Sequence, residues 1–248
     1  MHRISPIIPH TISDESVLCG FTMRTGGVSR APYESLNVGL STGDNSDNVA
    51  ENRRIVLDYA GIDELKTAFM GQVHGTNVGV VQSGGFYEET DGLVTANRSV
   101  MLCVLTADCV PLLLHEPEAG VIAAVHCGWR SIVVGIAEKT IDIMSREFSA
   151  DPANIQAAIG PSAGQCCYEI GDDVACHLGC DTVVSRNGRK YADLKTELAH
   201  HLIDAGVTTA HVGCSDECTI CNDSLFFSHR RDGTASGRMM GFIMLKGT

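Results

Sequence analysis

The sequence predicts an α+β protein in which a mixed sheet, or stacked sheets, carries helices on its outer faces. Three observations carry this expectation. Short β-like runs outnumber the helical segments. Several runs, VMLCVL (100–105), VPLLLH (110–115) and VIAAVH (121–126), are continuously apolar, as strands covered on both faces are. Strands and helices do not alternate in the regular βαβ manner of a doubly wound sheet. With 248 residues, 44% of them hydrophobic, and no internal repeat, low-complexity tract or long linker, residues 1–248 are expected to form a single domain.

The elements follow in order. RTGGVSRAPYESLNVG (24–39) is Gly-rich and polar and predicts a long ordered loop, a plausible substrate-binding segment. DNVAENRRIVLDYA (47–60) predicts a helix capped by Asp44 or Ser46 and stopped by Gly61. TAFMGQV and NVGVV predict two strands that meet at a turn, HGT, headed by His74. A Gly-rich loop precedes strands GLVTA and VMLCVL, and these are followed by VPLLLH and VIAAVH. From Trp129 the spacing changes to that of a helix, with apolar residues at Ile132, Val133, Ile136, Ile141 and Met144 through residue 148. IQAAIG predicts a strand, ADLKTELAHHLIDAGV a helix ending at Gly206, and DSLFFSHRR with MMGFIML a closing pair of strands.

Composition excludes several classes. A net charge of −12 argues against nucleic acid or an anionic membrane surface as partner, since phosphate backbones require clustered Lys and Arg. It leaves room for a small anionic substrate held by a few local arginines. The N-terminal stretch lacks an apolar core of signal-peptide length, and no run approaches the ~20 residues of a membrane span, so a cytoplasmic protein is expected. Eleven cysteines, an odd count in a chain of this length, are expected to be free thiols, most of them small buried hydrophobes.

Two residues stand out in TADCVPLLLHEPEAGVIAAVHCGWR (106–130). If VPLLLH and VIAAVH form a hairpin in which residues 114 and 121 pair, Cys109 lies opposite His126. Directly opposed side chains have Cβ atoms about 4.5–5.5 Å apart, close enough to share a metal or a proton. A catalytic zinc keeps three protein ligands and an open position, and His74 at the HGT turn is the natural third candidate. His200 and His201 on a helix, and His2 and His10 near the terminus, have weaker contexts.

Beyond this triad, MGQVHGTNV, LTADCVPLLL, AAVHCGWR, AIGPSAGQCCYEIGDDV and FFSHRRDGTASGRM, preceded in order by TMRTGGVSRAPYESLNVGLSTGD and VAENRR, resemble the YfiH-type laccase-domain family, also called polyphenol oxidase or peptidoglycan editing factor. The resemblance runs from about residue 20 to the C-terminus. It implies a stacked α/β/β/α sandwich and a zinc site on His74, Cys109 and His126. It further implies phosphorolysis of adenosine, inosine, guanosine and methylthioadenosine, and deamination of adenosine, or, by older naming, copper-dependent phenol oxidation. Cys127 departs from the usual Ala of that motif and places a second thiol beside the site. Deamination would draw on a zinc-bound water with a pKa lowered to about 7. Phosphorolysis requires a cationic or amide-rich phosphate pocket, for which Arg53, Arg54 and Arg130, with the helix start beside Gly128, are the candidates.

Rival readings use the same residues differently. Cys109 and His126 could form the nucleophile–base pair of a cysteine hydrolase that edits cytoplasmic peptidoglycan precursors. A non-catalytic metal-binding or partner-binding module is the third class. A multicopper oxidase centre needs His-x-His pairs, which this chain lacks. Cys214, Cys218 and Cys221 have the C-x3-C-x2-C spacing of a radical-SAM iron–sulfur site, but too little chain follows for the barrel, and they are expected to be dispensable for the chemistry. Cys166 and Cys167, being adjacent, are expected to be ordinary thiols with poor geometry for joint ligation.

Overall fold

The computed structural model describes residues 4–12 and 14–247; His2 lies outside them. In chain order the strands are β1 (Val17–Phe21), β2 (Thr67–Met70), β3 (Val78–Val80), β4 (Gly85–Tyr87), β5 (Gly92–Thr95), β6 (Met101–Thr106), β7 (Val110–Glu116), β8 (Val121–Cys127), β9 (Gln156–Ile159), β10 (Glu169–Ile170), β11 (Val183–Arg186), β12 (Arg189–Ala192), β13 (Val212–Cys214) and β14 (Met239–Leu245). The helices are α1 (Ser46–Ala60), α2 (Trp129–Val133), α3 (Ile136–Phe148), α4 (Asp172–Ala175), α5 (Leu194–Asp204) and α6 (His229–Asp232). A five-stranded mixed sheet runs β1-β14-β6-β2-β4, a six-stranded mixed sheet runs β13-β9-β7-β8-β5-β3, and β10-β12-β11 form a small third sheet.

Side-chain alternation along the strands sorts the core into three layers. Leu102 and Val104 of β6 meet Leu113 of β7 and Ile122 and Ala124 of β8 between the two large sheets. On the opposite side of β6, Met101 and Cys103 pack with Met240, Phe242 and the Ile55–Val56–Leu57 face of α1. The outer face of the six-stranded sheet, with Leu112, Leu114, Ala123 and Val125, is covered by α3 and α5 through Ile136, Ile141, Met144, Leu198 and Leu202. Helix, sheet, sheet, helix is the expected α/β/β/α sandwich.

The details depart from expectation at four places. Asn45, rather than Asp44 or Ser46, caps α1, its side chain accepting from the backbone N–H of Asp47 at 2.8 Å and Asn48 at 3.2 Å; Gly61 closes the helix in the left-handed region as predicted. The helix expected from Trp129 to Phe148 is two helices, because Gly135 adopts φ 83 and turns the chain between α2 and α3. DSLFFSHRR is not a strand. Phe226 and Phe227 are fully buried against Met239, Ser228 caps α6 through the N–H of Arg231, and β14 finds its partners in β1 and β6. TAFMGQV and NVGVV do not belong to one sheet: β2 lies in the five-stranded sheet and β3 in the six-stranded one, so the His74 turn crosses between layers.

Candidate metal centre

The β7–β8 hairpin pairs Leu114 with Ala123 and Val110 with Cys127. The expected register is therefore off by two residues: Pro111, not Cys109, faces His126, and Cys109 falls level with Gly128 just beyond the last pair. His115 and Glu116 continue β7, and the turn is the four residues after Glu116, with Gly120 at φ 62 and the Glu116 carboxylate accepting from the Ala119 N–H. A slip of one would have put Cys109 and His126 on opposite faces; a slip of two preserves the face. The two side chains therefore still converge. His74, Cys109 and His126 each present one donor atom, all within 4.8 Å of one another.

Supporting contacts explain the neighbours of each ligand. Asp91, fully buried at the head of β5, accepts from the backbone N–H of Val73, His74 and Gly75 at 3.2, 3.0 and 2.7 Å, and its Oδ1 lies 2.8 Å from His126 Nδ1. One carboxylate thus folds the His74 turn and aims the His126 ring, leaving Nε2 of His126 free to face the other two donors. His74 sits at φ 60 and packs edge-on against His126, with ring centroids 4.7 Å apart. Gly128 makes room for this: a Cβ there would stand 2.4 Å from His74 Nδ1. Gln72 fixes the same turn to β6 through two hydrogen bonds with Leu105, at 2.8 and 2.9 Å. On the other side, Asp108 takes φ 94, and its buried carboxylate accepts from Thr219 Oγ1 at 2.6 Å, Ser228 Oγ at 3.0 Å and the Arg230 N–H at 2.6 Å. Cys109 is held by its neighbour.

Charge follows the same plan. Burial pushes His126 down, but the hydrogen bonds that its ring donates to Asp91 and Cys109 outweigh it and raise the ring to about 9. Burial and repulsion from His126 lower His74, with Arg130 adding to the effect. Of the two rings, His126 is therefore the one that favours a second proton. Cys127 is no second ligand. Its thiol belongs to the core against the helices and is fully buried, which holds it well above the usual thiol range.

The triad opens into a cleft of about 630 Å³. Arg53 lines it, its guanidinium 4.3 Å over the Phe69 ring and its Nε donating to the Val38 carbonyl at 2.9 Å. Arg54 does not: it is exposed on α1 and pairs with Glu51 at 2.6 Å and Asp58 at 2.5 Å. Arg130 stacks on Trp129 at 4.4 Å and is exposed, near enough to bias His74 but outside the cleft lining. Three cleft and support residues were missed in the sequence. Arg238 and His229 line the cleft, and Asp91 organises it. Each sits in a polar or Gly-rich stretch whose pairing partner lies far away in the chain. His200 and His201 on α5 pair with Asp181 and Glu138 instead.

Stacked sheets with outer helices, and a two-His, one-Cys donor set lining a cleft, define a sandwich protein with a candidate metal site. Residues 18–246 match the family described as "Multi-copper polyphenol oxidoreductase laccase", and the chain belongs to that family. It is 41% identical over 232 residues to a "Purine nucleoside phosphorylase" of Deinococcus radiodurans, covering 91% of this chain and 88% of that one. With "Purine nucleoside phosphorylase YfiH" of Escherichia coli the identity is 35%, over 96% and 98% of the two chains. The crystal structure of YlmD from Geobacillus stearothermophilus superposes with a TM-score of 0.90 at 33% identity, over 94% of this chain and 93% of that chain. No helix among the described residues is long and apolar enough to cross a membrane.

Proposed function

We propose that this chain is a zinc-dependent purine nucleoside enzyme that phosphorolyses adenosine, inosine, guanosine and methylthioadenosine, and deaminates adenosine at the same site. The observation that carries the reading is the convergence of His74, Cys109 and His126 on a cleft that also holds Arg53 and Arg238. The purine nucleoside phosphorylase names of the relatives support the substrate class.

The residues fit a zinc ion. Two imidazoles and a thiol are the donor types of catalytic zinc, the Asp91 carboxylate orients His126, and His74, Cys109 and His126, which all line the cleft, would hold the ion. Bound there, zinc would supply Lewis acidity toward water or substrate.

The chain's own residues divide the remaining work. Leu40, Val73 and Phe86 are exposed apolar side chains on the cleft, 60%, 56% and 66% accessible, an arrangement suited to the face of a purine. Arg53 and Arg238 bring positive charge to the same cleft, where partial desolvation lowers both guanidinium pKa values, and a phosphate anion is the substrate group that this charge suits. In phosphorolysis a phosphate oxygen bonds to ribose C1′ as the bond from C1′ to the purine breaks. The base leaves with that electron pair and takes up a proton. In deamination, water replaces the exocyclic amine at C6 and ammonia departs.

A chromatographic assay of adenosine with and without phosphate tests this. Adenine that appears only with phosphate, beside a slower phosphate-independent yield of inosine, is the expected result. His126→Ala should abolish inosine formation. Neither product from the metal-loaded protein would overturn the reading.

A further inference from the structure

Four thiols that the site above does not use come together on the other side of Asp108. The sulfurs of Cys166, Cys167, Cys218 and Cys221 all lie within 4.8 Å of one another, with Cys221 Sγ 3.2 Å from Cys166 Sγ and 3.0 Å from Cys167 Sγ. This corrects two expectations. The adjacent pair is compatible with joint ligation, because residues 165–167 form a turn rather than a strand, which would send neighbouring side chains to opposite faces. And the C-x3-C-x2-C series is divided: Cys214 ends β13 outside the quartet, while Cys218 and Cys221 form a C-x2-C turn within it.

We propose that Cys166, Cys167, Cys218 and Cys221 together hold one tetrahedral zinc ion, a structural site that clamps the loop after β9 to the loop after β13. Four thiolates about 2.3 Å from zinc sit ~3.8 Å from one another, a spacing that these sulfurs bracket. The C-x2-C half is prepared for a metal. The Gly164 N–H donates to Cys218 Sγ at 3.2 Å, and Cys218 itself is 8% exposed. Arg231 holds the Thr219 and Ile220 carbonyls at 2.8 and 3.2 Å, and Arg186 donates to the Gln165 carbonyl, so a guanidinium braces each loop beside the sulfurs. Uptake of the ion would form four zinc–sulfur bonds and release the thiol protons to solvent.

The clamp reaches the nucleoside site through a short chain of contacts. Thr219, between the two C-x2-C ligands, donates its hydroxyl to Asp108 Oδ1 at 2.6 Å and its N–H to the Ser162 carbonyl at 3.0 Å. The Ala163 N–H donates to the Asp108 carbonyl at 2.9 Å. Both loops therefore hold Asp108, the residue that sets Cys109.

The experiment is elemental analysis of protein purified under reducing conditions, together with zinc X-ray absorption. Wild type should carry two zinc ions per chain. The double variant Cys218→Ser/Cys221→Ser and the single variant His126→Ala should each carry one, with an all-sulfur shell in the latter. Loss of this ion should lower Tm even when substrate is absent. Should the double variant fail to fold, the wild-type metal count and sulfur-rich shell decide the question. A single zinc whose shell contains nitrogen, iron in place of the all-sulfur zinc, or two fewer reactive thiols than eleven with the missing pair mapped to these residues (a disulfide), would each overturn the proposal, whereas a single zinc in an all-sulfur shell would uphold it and overturn the zinc at His74, Cys109 and His126 instead.

Discussion

Asp91→Asn isolates what the buried carboxylate contributes to the metal centre. Each carboxylate oxygen accepts two hydrogen bonds: Oδ1 faces His126 Nδ1 and the His74 N–H, and Oδ2 faces the N–H groups of Val73 and Gly75. An asparagine must turn an NH2 group toward one of these pairs. Rotated one way it confronts the Val73 and Gly75 donors. Rotated the other way it confronts the His74 N–H and requires His126 to change tautomer, turning its lone pair away from the metal. Two part-buried hydrogen bonds to a charged acceptor are lost, worth about 1.5–3 kcal/mol each, so about 3–6 kcal/mol before the turn relaxes and water takes up the freed N–H groups. Loss of such a carboxylate behind a ligating histidine typically weakens metal affinity 10–100-fold, or ~1.4–2.7 kcal/mol. Zinc affinity should be measured by competition with a chromophoric chelator, and the Tm of the metal-free protein recorded separately, so that folding and ligation are not confounded. A variant that binds zinc within twofold of wild type would refute the claim that Asp91 aims His126.

The remaining predictions follow from single contacts. Gly128→Ala should leave the fold intact, because its φ of −71 suits any residue, yet displace His74, whose Nδ1 would lie 2.4 Å from the new Cβ; a drop in zinc affinity without a matching drop in urea stability is the expected pair of results. Arg54→Ala should leave phosphorolysis unchanged, since Arg54 is committed to Glu51 and Asp58 in solvent, whereas Arg238→Ala should raise the KM for phosphate at least tenfold; equal effects in the two variants would remove Arg238 from the phosphate pocket. His201 Nδ1 meets Glu138 Oε1 at 2.5 Å between α5 and α3, raising the His201 pKa and lowering that of Glu138. A raised histidine contributes stability below its unfolded pKa and loses it as pH rises through the folded value, while the lowered carboxylate loses its share as pH falls. His201→Ala should therefore cost stability at pH about 5–6 and converge on wild type at alkaline pH, as urea unfolding across pH would show.

What the residues disclosed, and what they hid, divides along sequence distance. β7 and β8 were legible because they are contiguous, continuously apolar and joined by a short turn, and even the two-residue error in their register kept the Cys109 and His126 side chains on one face. α1 and α5 announce themselves by caps and stops within a few residues of their ends. β1, β4, β10, β11, β12 and β13 are not legible, because two to five residues carry too little periodicity to stand out. The supports of the site were hidden for another reason. Asp91 acts on a turn 17 residues before it and a ring 35 residues after it, and Asp108 on groups more than a hundred residues away. Nothing local distinguishes either from a solvated loop aspartate.

The two aspartates also explain why a turn crossing between two sheets can carry a rigid ligand. His74 lies where the chain leaves β2 in one sheet for β3 in the other, a place with no ladder to hold its backbone. Three consecutive N–H groups at such a turn would stand open to water, and a buried carboxylate satisfies all three at once while its Oδ1 also serves the His126 ring. The two histidines are thereby fixed relative to one another by a single group, so a displacement of the crossing turn moves the partner ring with it. Asp108 does the equivalent for the thiol: its backbone takes the left-handed turn out of β6 and its carboxylate fastens that turn to the loop after β13 and to the start of α6. Three ligands from three segments thus depend on two buried anions. Loss of either should scatter the donor set while leaving the three apolar layers, which share none of these contacts, in place.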